Sequence, residues 1–151
     1  MSVPTWQRSL SNAQFLYQIF DLNTLIGKIM ENKPKKYKNS YSDFVIKTAL
    51  EAFKEARIAN DEPFAREDIT ERSYLFRREH FQTAVSLIKT VSTVSHIFIE
   101  IIRESNQYES TKLYKQETQI GDKCGECIAL LNGVMDSDKE RYKSSIRSEG
   151  F

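Results

Sequence analysis

The sequence predicts an all-α fold: an elongated antiparallel up-down four-helix bundle with one long central helix. No glycine or proline interrupts the segment from Phe64 to Ile120, so nothing there breaks a helix. Apolar residues between Phe81 and Ile102 recur at steps of three and four, which is the period of one helix face. Several of them are β-branched and would suit a strand, but strict alternation holds only from Ile97 to Ile101. The period therefore favours one long helix.

Length and composition predict a single domain over residues 1–151. A chain of 151 residues buries about 70 per cent of its unfolded surface. Residues 1–10 and about 137–151 are polar or charged, and we expect them to be flexible tails. No apolar run reaches the roughly 18 residues of a membrane span, and no signal pattern opens the chain. We therefore expect a cytoplasmic protein that does not enter a membrane.

Helix 1 is expected from about Asn12 to Glu31. Ser11 and Gln14 have the spacing of a capping box at its start. It ends before Pro34, because proline disfavours helical backbone in the residue that precedes it.

Helix 2 follows a lysine-rich segment. Ser40 or Ser42 can cap its first turn. We expect it to stop near Asn60, because a proline-containing loop comes next.

Helix 3 is the long one, predicted from about Glu71 to Glu104, which is roughly 50 Å. Glu67 and Asp68 place negative charge before its positive dipole end. Ser92 and Ser95 lie in the middle of its apolar stripe. They either let a neighbouring helix approach closely or are simply tolerated there.

Helix 4 is predicted from about Leu113 to a left-handed cap at Gly133. Gly121 and Gly125 lie inside it, where each costs up to about 1 kcal/mol relative to alanine. Either the helix is kinked at these glycines or another backbone comes close to them.

Motifs of catalysis and metal binding are incomplete. Cys124 and Cys127 form a single C-x-x-C, but a closed zinc site needs four ligands. His80 and His96 are the only histidines, and neither has a cysteine or histidine near it in sequence. We therefore expect structural cysteines, no metal, no cofactor and no catalytic residue.

A helical RNase-like enzyme is the best enzymatic alternative. Such ribonucleases of the nucleotide-binding type found in higher eukaryotes and prokaryotes carry an arginine a few residues before a histidine. Here Arg72 lies too far before His80, and Arg77 and Arg78 lie too close. The sequence therefore favours a non-enzymatic protein.

Positive charge is concentrated in one segment, although 22 basic and 21 acidic residues leave the chain nearly neutral. Lysines stand here at positions Lys33, Lys35, Lys36 and Lys38. The segment is either a solvated loop or a phosphate contact, with Tyr37 and Tyr41 available to stack on a base.

Arg77 and Arg78 form a second candidate contact. Adjacent residues of a helix point about 100 degrees apart, so one arginine can face outward while the other lies in a seam between helices. Arg78 either pairs with a carboxylate of helix 1 or 2 or presents its fork to a phosphate or a partner protein.

Short motifs along nearly the whole chain resemble a bacterial four-helix-bundle family. They are the opening Ser-Val-Pro, Arg8-Ser9-Leu10-Ser11, Phe15-Leu16, the Lys-Pro-Lys-Lys-Tyr after helix 1, Ala59-Asn60, Arg77-Arg78-Glu79-His80-Phe81 with Ala84, and the run from Gly133 to Tyr142. The family is similar to the accessory variability protein of diversity-generating retroelements and to proteins encoded by intervening sequences of 23S ribosomal RNA genes.

The resemblance implies a non-enzymatic homo-oligomer, often a pentameric barrel, that binds RNA or DNA and, in retroelements, the reverse transcriptase. Retroelement members tend to be strongly basic, whereas this chain is nearly neutral. By position, the implied contacts are Lys33, Lys35, Lys36, Lys38, Arg77 and Arg78. The alternative is a structural self-assembly module that does not bind nucleic acid.

Overall fold

The structure, a computed structural model, describes residues 13–105 and 110–149. Its helices are α1 (Gln14–Glu31), α2 (Asp43–Asp61), α3 (Glu71–Glu104) and α4 (Ser110–Glu149), and a 3₁₀ turn (Lys35–Tyr37) and a π turn (Lys38–Ser42) connect α1 to α2. No strand occurs in the described ranges. The predicted all-α fold is confirmed.

The helices run alternately up and down, and each packs on the two that flank it. α1 contacts α2 and α4, while α3 contacts the same two helices from the other side. Asn23 of α1 donates to the carbonyl of Ala49 in α2 at 3.0 Å. Phe15 of α1 and Phe81 of α3 meet edge to face with ring centroids 5.4 Å apart. The arrangement is the predicted antiparallel four-helix bundle, elongated because α3 and α4 have 34 and 40 residues.

Small residues of α2 bring the helices close together. Its fully buried positions include Ala49, Ala52, Ala56 and Ala59. α3 supplies the largest fully buried side chains, Phe81 and Phe98. Ser95 also lies in the core, whereas Ser92 is half-buried. Of the two serines, only Ser95 joins the alanines of α2 in the buried core.

α3 has the predicted bounds, but side-chain hydroxyls cap its first turn, whereas the sequence suggested the charges of Glu67 and Asp68. Thr70 Oγ1 accepts from the backbone N–H of Ser73 at 3.0 Å, and Ser73 Oγ accepts from the N–H of Thr70 at 2.9 Å. This reciprocal capping box satisfies two N–H groups that have no partner inside the helix. Asp68 lies in the preceding turn, where its N–H donates to Ala65. The hydroxyl groups of Thr70 and Ser73 therefore cap the start of α3.

The first two helices agree with prediction except at their starts. Ser11 and the predicted tail over residues 1–10 lie outside the described residues. α1 begins at Gln14. Ser42 precedes α2 but makes no capping hydrogen bond through its side chain. The 3₁₀ and π turns lead the chain into α2 instead, so no serine cap is needed.

The predicted end of helix 4 at Gly133 is wrong, and residues 137–149 of the predicted flexible tail are helical, whereas residues 150–151 lie outside the described residues. α4 continues to Glu149, and the backbone at Gly133 is not left-handed. Asp138 is buried, and the ring of Tyr142 stacks on that of Tyr74 at 4.6 Å. The C-terminal part of α4 is helical because it covers the first turns of α3.

Gly121 and Gly125 have open space around them. A Cβ atom added at either position would meet nothing within 4 Å. No other described backbone therefore needs these glycines for close approach.

One described helix is long and apolar enough to cross a membrane by composition. It is α3, whose most apolar 18-residue window has a mean hydropathy of 1.5. The same helix carries much of the core, including Phe81, Ile88 and Phe98 at 0% exposure. A buried core helix meets the same criterion, and the cytoplasmic location stays a prediction.

Replacing Gly125 by alanine should raise the free energy of unfolding by about 0.5–1 kcal/mol. The added methyl group meets no atom, and the change reduces the entropy of the unfolded chain. Urea denaturation measures the effect. Ala129→Gly, at another exposed position of α4, is the matched control and should lower stability by a similar amount. A destabilising Gly125→Ala would contradict the open space seen here.

Candidate nucleic-acid interface

The lysine-rich segment forms two irregular turns at the end of the bundle where α1 ends and α2 begins. Lys35 and Lys36 belong to the 3₁₀ turn and Lys38 opens the π turn. The side chains of these three lysines are exposed. Their ammonium groups can therefore reach an anion in solution.

Lys33 lies closer to the protein than the other three. It is half-buried and contacts Gln116 of α4. Burial, and then the nearby charge of Lys112, lower the pKa of Lys33. Lys112, near the start of α4, therefore lies at the same end of the bundle as Lys33. We call Lys33, Lys35, Lys36, Lys38 and Lys112 the lysine end.

Tyr37 and Tyr41 fix this segment to the core. Tyr41 stacks on Phe98 with centroids 5.0 Å apart and planes 4° apart. Tyr37 meets Phe98 edge to face at 5.6 Å, and Lys36 Nζ lies 5.1 Å from the centre of the Tyr37 ring. Both rings thus pack on Phe98 within the protein. They anchor the segment that carries the lysines, and stacking on a base is not needed to explain them.

Arg77 is buried, with 7% of its surface exposed. Its Nε and Nη2 donate to the two carboxylate oxygens of Asp138 at 2.8 and 3.1 Å. Its Nη1 donates to the backbone carbonyls of Ala59 and Glu62 at 3.1 and 3.3 Å. The predicted nucleic-acid contact at Arg77 is not supported, because the side chain is buried and makes four hydrogen bonds inside the bundle.

Arg78 is the outward member of the pair. Its Nη1 donates to the hydroxyl of Tyr74 at 3.3 Å, and it lines a groove of about 560 Å³ between α3 and α4 with Lys89 and Asp136. The ion pair suggested for Arg78 is thus made by Arg77, and its carboxylate comes from α4. A phosphate contact at Arg78 stays a prediction.

The predicted contacts do not form one surface. Phe98, which packs on Tyr37 and Tyr41, lies 20 residues along α3 from Arg78. This separation corresponds to about 30 Å of helix. The lysine end and the groove at Arg78 are therefore separate places.

The two cysteines are free and buried. Burial raises the pKa of each thiol to about 12. Neutral buried thiols act as small apolar side chains and are inert.

His80 lies in a seam between α2 and α3. Its Nδ1 is 2.5 Å from Glu55 Oε2, and its ring packs on Phe76 at 4.5 Å. The histidine connects two helices.

Comparisons with protein-family models, with curated proteins and with solved structures return no match. The family resemblance therefore stays an expectation.

Two features of the structure could not be found from the sequence pattern. Lys112 lies 74 residues beyond Lys38 in the sequence, and only the fold brings it near Lys33. Asp138 stands among alternating charges, and nothing local marks it as buried.

Removing one partner of the Arg77–Asp138 pair should lower the free energy of unfolding. Asp138→Ala leaves a buried arginine without its carboxylate, and we expect a loss of about 3–5 kcal/mol in the free energy of unfolding. The double variant Arg77→Met/Asp138→Leu should recover most of this loss. Urea denaturation measures both.

The exposed pair Glu140–Lys143, with Nζ and Oε1 at 3.9 Å, supplies the control. Glu140→Ala should change stability by less than about 1 kcal/mol. Equal effects of Asp138→Ala and Glu140→Ala would show that the C-terminal part of α4 is not held by the buried pair.

Proposed function

We propose that this protein is a non-enzymatic accessory protein that binds RNA or DNA through its lysine end. We propose further that it works as a homo-oligomer with the reverse transcriptase of a retroelement. The observation that carries the nucleic-acid part is the exposed, anchored cluster Lys35, Lys36 and Lys38. The reverse-transcriptase part depends on the family resemblance, and a reverse-transcriptase gene beside this reading frame would support it.

The lysine end is positive although the protein is nearly neutral. Residues 28–42 contain five lysines and one glutamate, and Lys112 adds another positive charge from α4. A local cluster can contact several phosphates even without a global field, because the Debye length is about 8 Å at physiological salt. Binding should therefore be local and strongly dependent on salt.

Anchoring of the segment favours binding. Stacking of Tyr41 on the fully buried Phe98 limits the freedom of the turns that carry the lysines. Less conformational entropy is then lost on binding than with a free loop. Lysine ammonium groups contact phosphates without reading base edges, so we expect little sequence preference.

Replacing Lys35, Lys36 and Lys38 together by glutamine should weaken nucleic-acid binding. The slope of log K against log salt is negative, and each lost phosphate contact makes it less steep by about 0.7–0.9. The triple change should therefore make it less steep by roughly 2–3. Fluorescence anisotropy with a structured RNA and a DNA duplex, from about 50 to 200 mM salt, measures the slope.

The matched control removes three exposed charges away from the lysine end, at Lys54, Arg57 and Lys139. This variant should keep the slope of the unchanged protein. Equal losses in both triple variants, or no binding at about 50 mM salt, would contradict the proposal. A separate Arg78→Gln variant tests whether the α3–α4 groove takes part.

Self-assembly without nucleic-acid binding is the second candidate, and exposed apolar residues of α2 favour it. Ile46, Leu50 and Phe53 follow one another at steps of four and three, and the first two are exposed. Phe53 meets Phe20 of α1 at 6.4 Å. The stripe therefore extends to the α1–α2 seam.

Leu50→Glu should reduce the oligomer to a smaller species, because it places a charge in an apolar interface. Sedimentation equilibrium measures the mass. Leu75→Glu is the matched control, since Leu75 is 52% exposed and Leu50 is 59% exposed, and Leu75 lies on α3. A monomeric unchanged protein would contradict the oligomer in both candidates.

A further inference from the structure

Three side chains with metal-ligand atoms meet where α3 and α4 pack together. His96 and Glu100 are four residues apart on α3 and therefore share one face of the helix. Glu117 comes from α4. One nitrogen or oxygen of each lies within 4.8 Å of those of the other two. The three residues therefore converge from two helices.

The polar groups of the cluster are only partly satisfied. His96 Nδ1 contacts Glu117 Oε1. The other oxygen of Glu117, Oε2, is buried and has no hydrogen-bond partner among the described residues. Leaving a buried charged oxygen without a donor is costly, because it has lost its water and gained nothing in exchange. A cation at this position would satisfy it.

Arg103 holds Glu100 from outside the cluster. Its Nη1 donates to Glu100 Oε1 at 2.6 Å, and its Nε donates to Ser110 Oγ at 3.2 Å. Arg103 contacts Oε1 of Glu100, and Glu100 also interacts with Glu117. Such outer contacts orient metal-ligating carboxylates in proteins.

We propose that His96, Glu100 and Glu117 bind one divalent transition-metal ion of the zinc class. An imidazole with two carboxylates suits Zn²⁺ better than Mg²⁺ or Ca²⁺, which take oxygen ligands. Tetrahedral bonds of about 2.0–2.1 Å place ligand atoms roughly 3.4 Å apart, so small side-chain rotations from the present separations of at most 4.8 Å suffice.

The site is open to solvent on one side. The His96 side chain is 62% exposed, whereas that of Glu117 is 15% exposed. Three protein ligands leave a fourth position for water. A bound metal ion would link the C-terminal part of α3 to the N-terminal part of α4. Metal binding at this site would require neither nucleic acid nor a second copy of the chain, because one chain supplies all three ligands.

Isothermal titration of the full chain with Zn²⁺ tests the site, and Co²⁺ reports its geometry through visible absorption. We expect one ion per chain and a rise in Tm with metal concentration. His96→Ala and Glu117→Gln should each weaken binding by more than about tenfold. Far-UV circular dichroism confirms that both variants stay helical.

His80→Ala is the matched control, because His80 pairs with a single carboxylate, Glu55. It should leave the affinity for Zn²⁺ unchanged. Three results would overturn the proposal: no binding at about 100 μM Zn²⁺, equal losses in the His80 and His96 variants, or full binding after His96→Ala. The last would place any bound ion elsewhere, for example at Cys124 and Cys127.

Discussion

The buried ion pair between Arg77 and Asp138 sets the alignment on which the other sites depend. The guanidinium also caps the end of α2 through the carbonyl of Ala59 and lies between the rings of Phe64 and Phe81, 4.9 and 5.2 Å from their centres. Taking both charges out of water is costly, and the cost is offset only when all of these groups meet. We infer that this requirement fixes the register of α3 against α4.

The same register determines what meets at the opposite end of the two helices. With Arg77 beside Asp138, Arg103 reaches Ser110 and His96 reaches Glu117. Sliding α4 by one turn, about 5.4 Å, would separate all three pairs. Lys33 would also lose its contact with Gln116. The candidate metal site and part of the lysine end thus depend on a pair about 30 Å away along the bundle.

The apolar pattern of the sequence was sufficient to predict the bundle and α3, because an apolar period over 34 residues is a strong signal. It failed at Gly133 because a glycine after an apolar stretch resembles a helix end, and only packing on α3 shows that α4 continues. The exposure of Lys35, Lys36 and Lys38 follows from their density in the sequence. The inward direction of Arg77, by contrast, depends on Asp138, which lies 61 residues away. The grouping of His96 with Glu117 likewise needs the fold.

The candidate metal site and the lysine end lie at the same end of the bundle. Gln116 touches Lys33, and the next residue is Glu117. Without metal, the negative charge of Glu117 stands one residue from Gln116, whereas Glu100 is paired with Arg103. A bound divalent ion would neutralise those carboxylates and increase the attraction of this end for phosphate. Linkage makes such an effect reciprocal, so nucleic acid at the lysine end would also tighten metal binding. A nearly neutral protein could thereby acquire a stronger local positive charge only when the metal is present.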